Sequence, residues 1–123
     1  MTPIPTRVIA RLDIKNNFVI KGIHLEGLRK VGDPLEMATK YYNSSADEIY
    51  FMDSVASLYD RNSLFDLIEL ASVNSYIPIS VGGGIRKIDD VLKAFDSGAD
   101  KVIINTAAVK DIRIVKEISS RFG

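Results

Sequence analysis

The chain contains no cysteine and one histidine, His24, among its 123 residues. Without thiols there is neither a disulfide framework nor a thiolate zinc site. A lone histidine excludes multi-histidine metal centres and argues against a histidine-based catalytic triad. Charge of one sign is lacking too: sixteen basic and sixteen acidic residues give a formal net charge of zero. No basic run or stripe is present, so nothing points to nucleic acid or to an anionic membrane surface. No apolar run approaches a membrane span, and the N-terminus lacks the hydrophobic region of a signal peptide. The expectation is a soluble cytoplasmic domain, single by length over 1–123, with 46% hydrophobic residues to form its core and no metal or cofactor required.

What is present is an alternation of short apolar strands and amphipathic helices, repeated four times. Arg7 to Asp13 reads as the first strand, extended by Phe18 to Lys21, and Pro34 opens a helix carrying Leu35, Ala38 and Tyr42. Glu48 to Asp53 is the second strand, followed by a helix with Leu64, Leu67, Ile68 and Ala71 on one face. Ile77 to Val81 is the third, with Ile88, Val91, Leu92 and Phe95 at helical spacing behind it. Lys101 to Asn105 is the fourth, before a last helix marked by Ile114, Val115 and Ile118. This order implies parallel strands joined by right-handed crossovers. The predicted class is α/β, a (βα)4 half of a (βα)8 TIM barrel, whose complete form needs about 250 residues. Such a piece leaves one sheet face uncovered and should pair with a second half or a second copy of itself. Phe122-Gly123 falls where a helix would run on to a fifth strand, so a longer parent chain is expected.

An internal repeat supports the count. Ser45-Ala46-Asp47-Glu48-Ile49 returns fifty-three residues later as Gly98-Ala99-Asp100-Lys101-Val102, two strand–helix units on, and aligns Asp53 with Thr106. Gly22 to Asp33 is the one long connection and reads as a lid over a site.

Polar groups collect at the two rims. Ser80-Val81-Gly82-Gly83-Gly84-Ile85 sets three glycines at a strand-to-helix junction, where bare N–H groups at a helix N-terminus make a phosphate seat. An ordinary tight turn is the plainer reading of the glycines alone. Asp13, Asp53 and Asn105-Thr106 fall on the same rim, the C-terminal ends of the strands, where barrel chemistry belongs. At the other rim Arg7, Glu48 and Lys101 each begin a strand, forming either a salt-bridge plug or a polar gate for something small.

Over essentially its whole length the chain resembles the N-terminal half of the cyclase subunit of imidazole glycerol phosphate synthase. The resemblance rests on Arg11-Leu12-Asp13-Ile14-Lys15, Val19-Ile20-Lys21-Gly22, Gly32-Asp33-Pro34, Asp47-Glu48, the glycine run, and Gly98 through Ala108. It implies an eight-fold barrel that receives ammonia from a glutaminase subunit docked at its N-terminal face. The barrel uses the ammonia to cleave and cyclise a bis-phosphorylated ribulosyl aminoimidazole carboxamide, giving imidazole glycerol phosphate and an aminoimidazole carboxamide ribotide. By motif, Asp13 matches the catalytic aspartate of the first strand and Lys21 the lysine of the first loop. Gly83, Gly84, Asn105 and Thr106 fall at the seat of one substrate phosphate, with Asp53 beside them. Arg7, Glu48 and Lys101 match three of four ammonia-gate residues, and Asp100 a residue of the glutaminase interface. The fourth gate residue, a second catalytic aspartate and a second phosphate seat belong to the half not represented, so this stretch alone should be nearly inactive.

One position departs from the pattern. Biosynthetic cyclases usually carry a small residue where Arg11 stands, two residues below Asp13 on the same strand face. A guanidinium there should contact Asp13 or a substrate anion, and favour the ionised aspartate. A paralogous branch from surface-polysaccharide gene clusters, which modifies a sugar with an amidotransferase partner, looks similar here and along His24 to Arg29. Two further readings stay open: the sugar-phosphate isomerase of the same pathway, and a phosphate-binding half-barrel without turnover.

Overall fold

A computed structural model describes residues 5–15, 18–23, 27–53 and 61–123; His24 and the rest of 24–26 lie outside the described residues, as do 54–60. Six strands form one sheet: β1 Ile9–Lys15, β2 Phe18–Ile23, β3 Gly27–Gly32, β4 Glu48–Asp53, β5 Ile79–Gly82 and β6 Lys101–Ile103. Five helices alternate with them: α1 Pro34–Asn43, α2 Arg61–Asn74, α3 Ile88–Asp96, α4 Thr106–Lys110 and α5 Arg113–Phe122. The strand order is β3-β2-β1-β4-β5-β6. β1, β4, β5 and β6 run parallel, with a helical segment in each connection, as a (βα)4 half of a TIM barrel requires.

The first connection, read as a long loop, is built mostly of strands. Gly22 lies in β2, and Gly27 and Gly32 bound β3, so most of that segment is the returning leg of an antiparallel hairpin. The register shifts between Val19 and Ile20, an irregularity the ladder absorbs. The first strand also starts two residues later than expected, leaving Arg7 just ahead of β1.

Strand alternation sorts the side chains into two sets. Leu12, Ile14, Ile49, Phe51, Ile79 and Val81 are buried and pack with Ala38 of α1, Leu64, Ile68 and Ala71 of α2 and Ala94 of α3. The register then fixes the opposite, open face: Arg11 and Asp13 on β1, Glu48, Tyr50 and Met52 on β4, Ser80 and Gly82 on β5, Lys101 and Ile103 on β6. Chain entry into α1 is set by Asp33, whose carboxylate accepts the Glu36 N–H at 3.0 Å, with Pro34 in the first turn.

The internal repeat has a structural cause. The Asp47 N–H donates to the Val8 carbonyl at 2.8 Å, and the Val8 N–H donates back to Asp47 Oδ2 at 2.6 Å. Asp100 makes the same reciprocal pair with Ile79, 2.8 Å each way. In both repeats an aspartate just before a strand brackets the neighbouring strand, extending the parallel ladder by one side chain. The alignment does not extend to the other end, since Asp53 closes β4 whereas Thr106 opens α4, beyond the end of β6.

Candidate functional site

The glycine run leaves β5 through two residues in the left-handed region, Gly83 at φ +83° and Gly84 at φ +73°. A Cβ on Gly83 would stand 2.2 Å from the Asp53 carbonyl oxygen, so the loop lies directly on the end of β4. No other residue fits there without moving backbone. The helix behind the loop is arranged otherwise than the glycine pattern suggests. Asp90, buried in α3, turns its Oδ2 back to accept the N–H groups of Arg86 at 3.0 Å and Lys87 at 3.3 Å. The start of α3 is thus occupied by its own carboxylate, which takes up two of the N–H groups that a helix end would offer an anion.

Gly83, Gly84, Asn105 and Thr106 line one cavity of about 1030 Å³, with Met52 and Ile103 from the open face at its base. Asn105 precedes α4 with no side-chain capping bond, and its side chain is exposed with that of Thr106. Arg86, Lys87 and Lys110 also border the cavity. Sequence inspection passed over these cations, although Arg86-Lys87 directly follows the glycine run. Arg113, a fourth cation at this cavity, is bound to Asp111 by Nε–Oδ1 at 2.9 Å and Nη2–Oδ2 at 2.8 Å. That pairing holds the Asp111 carboxyl below the ordinary aspartate range and raises Arg113.

Asp13 lies beside this cavity rather than in it, paired in register with Met52. Its Oδ1 accepts Arg11 Nε at 3.1 Å, so Arg11 meets Asp13 directly. Asp53 pairs in register with Ile14, one residue out of phase with Asp13, so the two carboxylates lie on opposite faces of the sheet. The backbone of Lys21 pairs with Arg29 in the hairpin, while its side chain lies outside the described set.

At the other rim the structure gathers Arg7, Glu48 and Lys101. Glu48 is 2% exposed, and its Oε1 accepts from both Arg7 Nη2 and Lys101 Nζ, the latter at 2.8 Å. Both cations stay about half exposed, so water solvates them while the carboxylate relies on them. Asp100, expected at a partner interface, commits its carboxylate to the Ile79 N–H. Between the rims sits Ser80, 1% exposed, whose Oγ has no hydrogen-bond partner among the described residues. No periodicity rule singles it out, since a serine in an apolar strand reads as filler. Among the described residues no group of three or more His, Cys, Asp or Glu side chains could hold a metal ion, and no helix is long and apolar enough to cross a membrane.

Comparison with known proteins shows the family. The family model described as "Histidine biosynthesis protein" matches residues 7–123. Proteins named imidazole glycerol phosphate synthase subunit HisF are similar throughout. That of Legionella pneumophila is 55% identical over 117 residues, covering 95% of this chain and 55% of the relative. Those of Natranaerobius thermophilus and Myxococcus xanthus are each 44% identical over 117 residues, covering 95% of this chain and 47% and 46% of the relative. The chain spans about half the length of the curated relatives it matches. With its parallel βα order and the match running from Arg7 to Gly123, the chain belongs to the histidine biosynthesis protein family.

Proposed function

We propose that this chain supplies one half of an ammonia-dependent cyclase, the subunit whose relatives are named imidazole glycerol phosphate synthase subunit HisF. The observation that carries the reading is the division of one sheet face between a cavity at one rim, bordered by the glycine loop, Asn105, Thr106 and three cations, and a buried, doubly paired carboxylate at the other. The Gly83–Gly84 loop, Asn105 and Thr106 hold one substrate phosphate. Asp13 moves a proton at the reacting centre, and Lys21 binds the same substrate. Asp53 shapes the seat through its backbone, against which Gly83 rests. Arg7, Glu48 and Lys101 form most of a gate. Ammonia is small and neutral, so it passes where Lys101 swings off Glu48 while Arg7 keeps the carboxylate paired.

A glutaminase subunit delivers that ammonia at the N-terminal rim, beside Asp100; the relatives' names, each a synthase subunit, support an assembly of this kind. The setting is the cytoplasm. Residues 1–123 form a single half-barrel unit, and its uncovered face and open β6 edge favour self-association when no second half is present.

A second reading draws on Arg11. A guanidinium bound to Asp13 sits where biosynthetic cyclases usually carry a small side chain, which favours the paralogous branch that modifies a polysaccharide sugar. The isomerase reading gains nothing from the Arg7–Glu48–Lys101 cluster, since isomerisation needs no ammonia.

The test combines this chain with the remainder of the Legionella relative and supplies ammonium chloride at mildly alkaline pH. Turnover of the ribulosyl substrate by the mixture, and none by the chain alone, is the expected result. An assembled complex, verified by native mass spectrometry, that leaves this substrate untouched would defeat the histidine-pathway assignment.

A further inference from the structure

We infer that Arg11 is a specificity-determining residue that binds a second anionic group, a carboxylate, on the ligand whose phosphate occupies the Gly83–Thr106 cavity; this rests on the phosphate seat and on the second, sugar-modifying reading above, since the carboxamide substrate of the first carries no carboxylate. Arg11 spends only Nε on the protein, donating to Asp13 Oδ1 at 3.1 Å. No bond from Nη1 or Nη2 to a described residue is present, and the side chain is 60% exposed on the open face. Among the described residues the other acidic side chain of this face, Glu48, is already paired with Arg7 and Lys101. The in-register neighbour of Arg11 is Tyr50, which brings no charge. The guanidinium is therefore anchored at one edge and presents its paired N–H groups, the geometry that recognises a planar carboxylate with two parallel hydrogen bonds. Anchoring lowers the ordering cost of that recognition, because Asp13 already fixes the side chain. Asp13 itself repels a ligand carboxylate, and the bridging guanidinium offsets that repulsion.

The span fits a ligand of sugar size. The strand β5, which bears the glycine loop, lies two strands from β1, about 10 Å away at ~4.8 Å per strand. An extended six-carbon phosphorylated acid covers a similar distance.

A matched pair of probes separates the terms: 6-phosphogluconate carries a phosphate and a carboxylate, whereas glucitol 6-phosphate has the same length and a hydroxymethyl end. Calorimetric titration of this chain at low salt should show the acid binding about ten-fold tighter than the alcohol. In Arg11→Gln the preference should vanish with alcohol binding retained, and in Arg11→Lys it should be partly restored. Should Arg11→Gln fail to fold by circular dichroism, NMR of the wild-type arginine side chains gives the answer. The Arg11 Nε and Nη signals should move with the acid and stay fixed with the alcohol. Equal affinities in the wild type, or loss of both ligands together in a folded Arg11→Gln, would overturn the inference and leave the phosphate seat standing. Failure of both probes and of inorganic phosphate to bind would overturn the seat as well.

Discussion

Gly83 illustrates how a single residue commits the backbone. Its positive φ and its closeness to the Asp53 carbonyl make Gly83→Ala both a conformational and a packing fault. The substitution should cost about 2 kcal/mol in urea unfolding and weaken inorganic phosphate binding in parallel. Asp111 is a second case. Because Arg113 lowers its pKa when folded, the pair stabilises above the unfolded aspartate value and is lost as pH falls through the folded one. Carboxyl NMR should find Asp111 titrating below the ordinary aspartate value, and Arg113→Gln should raise it toward that value. Glu48 and its cations are unequal partners. Lys101→Met leaves a buried carboxylate with one cation and should destabilise by about 2 kcal/mol, whereas Glu48→Gln leaves two solvated cations and should cost less. The reverse order in thermal melts would show that the carboxylate is not the dependent member.

Among the elements, the strand N-termini carry the repeated chemistry. The reciprocal brackets Asp47–Val8 and Asp100–Ile79 each satisfy one N–H and one carbonyl at a ladder end. Asp47→Ala and Asp100→Ala should each lose about 1–2 kcal/mol in chemical denaturation. The two losses should add in the double variant, because the brackets share no partner. An Asp100→Asn variant that kept stability but lost glutaminase capture would separate an interface role from the structural one. Most of the helix faces were legible from spacing alone: Ala38, Leu64, Ile68, Ala71 and Val91 are buried where the periodicity placed them. The hairpin partner β3 was not. Its sequence, Gly27-Leu28-Arg29-Lys30-Val31-Gly32, is too polar and glycine-bounded to announce a strand, and only pairing with β2 makes it one. Asp90 was equally hidden, since one of two adjacent aspartates in a first turn gives no sign of which will fold back over the glycine loop.

At the scale of the whole molecule, burial declines along the sheet. Every residue of β5 is buried, β6 is only partly covered, and α5 contains no buried residue. Val109, Ile112, Val115 and Phe122 remain exposed on and between the last two helices, and the Phe95 ring of α3 meets the Phe122 ring of α5, centroids 4.9 Å apart. An unpaired parallel edge beside uncovered apolar side chains should associate. Sedimentation at rising concentration should show more than one chain per particle, and adding the remainder of the Legionella relative should displace that species.

The sequence by itself determined the alternation of strands and helices, the charged and glycine-bearing positions at the two rims, and the family to which they belong. Those properties follow from period, spacing and residue type, which are written along the chain. Tertiary structure decided the partners: Arg11 on Asp13, two cations on one oxygen of Glu48, Asp90 over the start of α3, Asp13 and Asp53 on opposite faces. A hydrogen bond or ion pair depends on distances between strands far apart in sequence. Only the register of the folded sheet sets those distances.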